Sequence, residues 1–295
     1  LSPARGIGMV VLAVGMFTIM ATAVKATSDH VPPGQAMFFR SAVTLPIVIA
    51  MLLARGEMHG ALHTKHPLGH LMRGLTGSAA MGMGFASLAY LPLPEATAIR
   101  FSTPLFVVVL AALMLGERFR LIRLSAVAAG LLGVSIILAP RLTGDLGSQA
   151  SLGALLTLGS AFCASLSQIQ VKMLSGKENT ATIVFYFAIC SLVLSLFTAP
   201  FGWVVPTPGE AAILLFGAAV GSAGQLLLTG AYRHADASLV APFTYSSMIW
   251  SLILGFIVFG DLPTAQMLLG AGIVIASGIV IAWREQQIAR RAIRR

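Results

Sequence analysis

Apolar residues along the chain gather into blocks of about 20, and most Lys and Arg fall between the blocks. A helix of ~20 residues spans the ~30 Å hydrocarbon core of a bilayer. The blocks therefore predict membrane helices near residues 6–25, 34–54, 69–90, 94–115, 121–139, 151–174, 180–201, 210–231, 236–259 and 263–283. The punctuation between them is chemically sensible. Pro32-Pro33-Gly34 opens the second block, since Pro is tolerated in a first helical turn. Leu91-Pro92-Leu93-Pro94 makes a tight link between the third and fourth, and Pro206, Pro208 and Gly209 mark the approach to the eighth.

Composition agrees with the pattern. Of 295 residues, 57% are hydrophobic and 10% charged, where a soluble domain carries roughly 25% charged residues. A mean hydropathy of +0.89 excludes a soluble globule with an ordinary charged surface. The net charge of +9 would suggest nucleic acid in a soluble protein. Here the cations report topology and lipid contact instead, and no mixed aromatic and basic patch is present.

With the first segment set inside, the inner segments hold fifteen Lys and Arg and the outer ones only Lys25 and Arg141, while Arg40 and Arg100 lie within helices. The positive-inside rule then places both ends on the cytoplasmic side and requires an even number of spans. The Arg-rich stretch after Trp283 reads as a cap on lipid headgroups, with a nucleic-acid arm as the sharper alternative. Cys163 and Cys190 both fall within predicted spans, where each reads as a small hydrophobe and not as half of a disulfide. The first block lacks a clear cleavage site and is read as a retained helix, not a signal peptide.

A repeat underlies the ten spans. A shift of 144 residues brings Phe101 onto Tyr245 and Glu117 onto Asp261, and Gly6 to Lys25 spans 19 residues, as does Gly153 to Lys172. The matches suggest two five-helix halves, 1–147 and 148–295. Five is odd, so the second half would enter the membrane inverted, with Lys25 outside and Lys172 inside. Inverted repeats mark secondary carriers, with substrate held near the midplane between the halves.

Leu91-Pro92-Leu93-Pro94-Glu95-Ala96-Thr97-Ala98-Ile99, then Thr103-Pro104-Leu105-Phe106, Leu115-Gly116-Glu117-Arg118 and Gly130-Leu131-Leu132-Gly133-Val134 resemble the drug/metabolite transporter superfamily, in its EamA-type ten-helix branch. Arg40 after Phe38-Phe39 fits the same pattern, and Asp261 replaces the usual Glu in the second half. The resemblance covers nearly the whole chain and implies a central cavity with alternating access. It also implies export of amino acids or other metabolites, with the aromatic and hydrophobic amino-acid exporters (YddG-like) as the favoured branch.

Several residues could carry chemistry. Polar stripes run along the sixth helix (Ser160, Ser165, Ser167, Gln168, Gln170), the eighth (Ser222, Gln225, Thr229) and the ninth (Thr244, Ser247, Ser251). Such groups either line a cavity or bridge packed helices. Gln168 and Gln225 lean toward the cavity because an amide needs more partners. Met9, Met16 and Met20 share one face of the first helix, and Met81, Met83 and Phe85 lie within the third. Either set packs the core, or, with Tyr90, Tyr245 and Trp250, it accepts a large apolar side chain. The candidate cavity set is thus Met16, Met20, Met81, Phe85, Gln168, Gln225, Tyr245 and Trp250.

Glu95, Arg100 and Arg40 are intramembrane ionisable groups on the outer side. The two arginines sit about 9 Å of helix rise from the outer ends, which allows snorkelling. The alternatives are an outer gate or a partner for a substrate carboxylate. Glu95 is the first candidate for a coupling proton, and Glu117 and Asp261 read as helix caps or partners of Arg. His59, His63, His66 and His70 have the spacing of one helical face, but Pro67 interrupts the segment, and metal binding is not expected.

The expected function is a secondary transporter of the bacterial inner membrane that exports small metabolites, most often amino acids. An uptake carrier for an adenosyl compound, sugar or amine is the alternative. An enzyme is not expected, since no paired acidic motif, Ser/His/Asp set or phosphate-cradling loop is present. No cofactor is expected. The expected partners are a small-molecule substrate and membrane lipids, without nucleic acid, and the pattern leaves monomer and homodimer open.

Overall fold

The structure, a computed structural model, describes residues 3–54, 56, 58–59, 64–115, 121–142, 149–175, 177–178, 180–231 and 241–293. Among these residues all regular structure is helical. The α-helices are α1 (Pro3–Thr27), α2 (Pro33–Ala54), α3 (Pro67–Ser87), α4 (Leu93–Arg100), α5 (Ser102–Leu115), α6 (Leu121–Leu142), α7 (Gln149–Ser175), α8 (Thr180–Leu196), α9 (Pro208–Ala231), α10 (Ser247–Leu254) and α11 (Ala265–Ile293). A 3₁₀ turn (Ala241–Ser246) leads into α10, and a π-helical turn (Gly255–Phe259) follows it. The described helices assemble into ten rods, the fourth made of α4 and α5, and the ninth of the 3₁₀ turn, α10 and the π turn.

Six rods are long and apolar enough to cross a membrane by themselves: α1, α2, the α4–α5 pair, α7, α9 and α11. Shorter apolar stretches lie in α6, α8 and the ninth rod. The third rod, α3, is diluted by His70, Arg73 and several Gly and Ser residues. Helix ends agree with the apolar blocks to within a few residues, except that α8 ends earlier and α11 runs on past the last block. Residues 236–240, expected to open the ninth helix, lie outside the described residues, as do Glu117 and His63.

Two expected helices are not continuous. The block at 94–115 breaks at Phe101, whose N–H reaches back only to the Ala98 carbonyl oxygen at 3.2 Å. Pro104 is the cause: it cannot donate to the carbonyl of Arg100, and its ring crowds that carbonyl. The ninth rod starts as a tight 3₁₀ turn around Pro242 and ends as a wide π turn. Gly260 closes it with φ +70, a left-handed conformation that favours glycine. Its N–H donates to Phe256 and that of Asp261 to Gly255, each at 3.0 Å, so the last carbonyls of the rod are satisfied.

The rods pack in extended pairs: α1 along α9, α3 along α7, and α6 along α11. In addition, α2 lies against α8 and α9, and α3 touches α8 as well as α7. Glycines set several of these distances. A Cβ built on Gly133 of α6 would lie 2.8 Å from the Gly270 carbonyl oxygen, and one on Gly270 of α11 would lie 2.6 Å from that of Gly133. Backbone therefore meets backbone at that crossing, as small residues allow between membrane helices. The largest apolar cluster joins both ends of the chain, from Met20 and Phe85 through Leu93, Ile99 and Leu105 to Met248 and Val274.

Candidate functional site

The break in the fourth rod faces the irregular ninth. Phe101 and Tyr245, the two residues aligned by the 144-residue shift, meet edge to face with ring centroids 5.0 Å apart. Both are buried. Tyr245 also fills the space left by Gly278 of α11, where any side chain would collide with its ring. The pair thus ties the two interrupted rods and α11 together at one point.

Next in the chain to Phe101 is Arg100, one of three arginines from three helices linked by charge in two pairs. Arg100 ends α4, Arg40 sits in α2 and Arg73 in α3. Arg40 feels the charge of Arg100, and Arg73 that of Arg40. Arg100 is exposed. Arg40 turns its Nη1 toward the Met81 sulfur, and its Nε is buried without a hydrogen-bond partner. It therefore does not reach out to the outer surface as a snorkelling arginine would. The Arg73 guanidinium sits over the Phe187 ring of α8, 4.2 Å from its centroid, with Nε and Nη1 buried and unpartnered. Gly77, one turn on, leaves room for it. Among the described residues no carboxylate stands within ion-pairing distance of any of the three.

The remaining sequence candidates divide between contact with the arginines and packing. Met81 touches Arg40. Met20 is buried against Gly217 and Gly221 of α9, and Met16 against Gly224. Trp250 packs on Gly15 of α1, and Phe85 is buried in the main cluster. Gln168 is exposed, Gln225 is half-buried, and Glu95 is buried near the start of α4. The polar stripes form bridges: Ser160 donates to the Ala80 carbonyl at 2.6 Å, Thr76 donates to Gln170 Oε1 at 2.8 Å, and the Ser222 and Thr44 hydroxyls bond at 2.8 Å. Ser165 and Ser251 bond within their own helices. The side chain of Thr229 lies outside the described residues.

Sequence reasoning missed two cations. Arg73 counted only as an inner-segment charge. Its signal was the Gly74 and Gly77 beside it, which make space for a guanidinium. Lys25 counted only as an outer charge. Its Nζ donates to the Leu91 carbonyl oxygen at 2.6 Å, lies 5.1 Å from the Phe259 ring centroid, and is drawn to Asp261 and Asp29. Asp261 in turn accepts the N–H of Leu93 at 3.0 Å, capping the start of α4. One knot thus joins the first rod, the link before the fourth, and the end of the ninth. Another outer bracket is Gln35, which donates to the Val204 carbonyl at 2.8 Å and accepts its N–H at 3.2 Å.

At the opposite end of the bundle, Glu178 accepts the Thr64 hydroxyl at 2.6 Å and lies 3.9 Å from His70 Nε2. The Thr64 hydroxyl, helped by the Lys65 backbone and the His70 and His66 charges, holds this carboxylate below its ordinary 4.5 despite partial burial. His70 itself is buried and stacks on Tyr186, with ring centroids 4.6 Å apart. Among the described residues no three His, Cys, Asp or Glu side chains converge as a metal site requires. Cys163 and Cys190 are free thiols, and Cys190 packs on Gly74. A shallow, mostly apolar cavity of about 380 Å³ lies between α6 and α11, around Ala129, Ile273 and Ala276, and includes none of the arginines.

A model of the EamA-like transporter family matches residues 4–139 and again 151–283. The pseudopaline exporter of Pseudomonas aeruginosa is 29% identical over 281 residues, covering 94% of this chain and 95% of its own. The riboflavin transporter of Vibrio cholerae is 29% identical, covering 85% of this chain and 83% of its own. The S-adenosylmethionine uptake transporter of Rickettsia bellii is 30% identical, covering 87% of this chain and 84% of its own. A solved crystal structure shares the fold with a TM-score of 0.66 at 20% identity, covering 97% of this chain and 99% of that one. The chain belongs to the EamA-like transporter family, within the drug/metabolite transporter superfamily, and is a multi-pass membrane transporter.

Proposed function

We propose that this family member is a secondary carrier of the bacterial inner membrane that exports a small metabolite, amino acids being the first class to test, by alternating access between two inverted five-helix halves. The observation that carries the reading is Arg100: an exposed charged side chain beside the break in a rod of membrane-spanning length. Intramembrane ionisable groups that face a cavity mark solute pathways. Interrupted helices beside such a cavity are the usual substrate scaffold of carriers with inverted repeats.

The packing pattern supports the duplication. Shifting every rod by five exchanges the first–eighth pair with the sixth–third pair, and the second–eighth pair with the seventh–third pair. The second–seventh and fifth–tenth pairs map onto themselves. Residues 1–147 and 148–295 are the proposed halves, and the excess of inner Lys and Arg supports cytoplasmic termini. A second reading, uptake, is favoured by the riboflavin and S-adenosylmethionine relatives.

Counterflow in proteoliposomes tests the carrier. Preloaded solute should drive saturable entry of labelled solute against its gradient, for at least one member of a panel of amino acids, carboxylates, amines, sugars and nucleosides. Absence of exchange with the whole panel would overturn the reading. Accumulation in a deletion strain separates the directions: loss of an exporter raises internal substrate, and loss of an importer lowers it.

A further inference from the structure

We infer that Arg40, Arg73 and Arg100 together form the substrate anion site, and that the carried solute is an organic anion with at least two negative charges on carboxylate or phosphate oxygens. The inference rests on the carrier reading and deepens it. Arg40 of α2 feels the charge of Arg100 from α4 and bears on Arg73 of α3, with no carboxylate at ion-pairing distance of the three among the described residues. Uncompensated charge in a membrane interior is costly, and such groups are retained where they pair or serve a pathway.

The side chains are also not used up by local bonds. Arg40 Nε, Arg73 Nε and Arg73 Nη1 are buried without hydrogen-bond partners, and Arg40 Nη1 faces a thioether, a weak acceptor. Phe187 offers Arg73 a ring but no oxygen acceptor for its N–H groups. Carboxylate and phosphate oxygens are the acceptors that match a guanidinium fork. A plain zwitterion supplies one carboxylate and adds an ammonium that three arginines repel. A solute with two or more negative charges can neutralise the cluster, and Met81 beside Arg40 would meet its carbon skeleton.

The test compares counterflow of succinate, citrate, glycerol 3-phosphate and phenylalanine in proteoliposomes of the wild-type chain and of the Arg40→Gln, Arg100→Gln and Arg100→Lys variants. Succinate or citrate exchange identifies carboxylate as the source of the anion, and glycerol 3-phosphate exchange identifies phosphate. Either is expected to fall at least about tenfold in the Gln variants, the usual scale for losing a charge-assisted hydrogen bond, with KM raised and partial recovery in Arg100→Lys. Exchange confined to phenylalanine or other uncharged and zwitterionic solutes, or anion exchange that the Gln variants leave within twofold, overturns the site and leaves the carrier standing. No exchange of any solute overturns the carrier as well. A measurement on the unaltered chain guards against misfolded variants: phenylglyoxal modification mapped by mass spectrometry. The exchanged anion should protect Arg100 and Arg40 from the reagent, and modification rates unchanged by saturating anion would overturn the site.

Discussion

At the scale of single residues, Glu178 offers the clearest readout. Its pKa in the folded chain lies below the ordinary 4.5, chiefly because it accepts the Thr64 hydroxyl. A depressed carboxylate stabilises the fold fully at pH values above the ordinary pKa, and the contribution fades as pH falls through 4.5 toward the folded value. Glu178→Gln should therefore lower the melting temperature of the purified protein at pH 7, and the two melting curves should converge as pH falls well below the ordinary carboxylate range. Parallel curves across the acid range would show that the bond has no such role. Gln35 should respond differently. Its amide makes two bonds to the Val204 backbone, so Gln35→Ala should cost about 1–2 kcal/mol with no pH dependence, read by thermal unfolding in detergent.

At the scale of elements, the informative feature is the knot of Lys25, Leu91, Asp261 and Phe259 at the ends of the rods that the proposed orientation puts outside. It closes the bundle there through one ammonium and one capping carboxylate. Lys25→Met keeps the length of the side chain but removes both the bond to the Leu91 carbonyl and the attraction to Asp261. Cysteine placed at Tyr90 in that background should react severalfold faster with a membrane-impermeant maleimide in cells, once Cys163 and Cys190 are replaced. An unchanged rate would show that the knot does not hold this end shut. Elements were also where the sequence was most legible. Apolar blocks located the spans because bilayer thickness fixes their length. The break at Phe101 was visible in principle as Pro104, yet a long apolar run hid it, since hydropathy is blind to a missing N–H. The methionine face of α1 was legible as a face but not as packing: that Met20 fills Gly217 and Gly221 of α9 depends on a partner nearly 200 residues away.

At the scale of the whole molecule, charge bias carries the proposed topology while side-chain geometry carries the proposed site. Arg40 and Arg100 stood out because they interrupt apolar runs. Arg73 did not, because six residues from a helix start it resembles any flanking cation. Its association with Arg40 needed the packing of α2 against α3. The proposed orientation puts Asp29 outside and Lys65 inside. In a chain without Cys163 and Cys190, Asp29→Cys should label with impermeant maleimide in intact cells, and Lys65→Cys only after lysis. Labelling of both positions in intact cells, or of neither, would contradict that topology.

The crossing of α6 and α11 carries a genetic consequence. Where two main chains touch through Gly133 and Gly270, even a methyl group must wedge the rods apart, with no flexible neighbour to absorb the strain. Gly8 and Gly272 face open space. A saturation library under selection for activity should therefore come back nearly monomorphic at the first pair and diverse at the second, so that allele frequencies alone would trace the seam that joins the middle of the chain to its last helix.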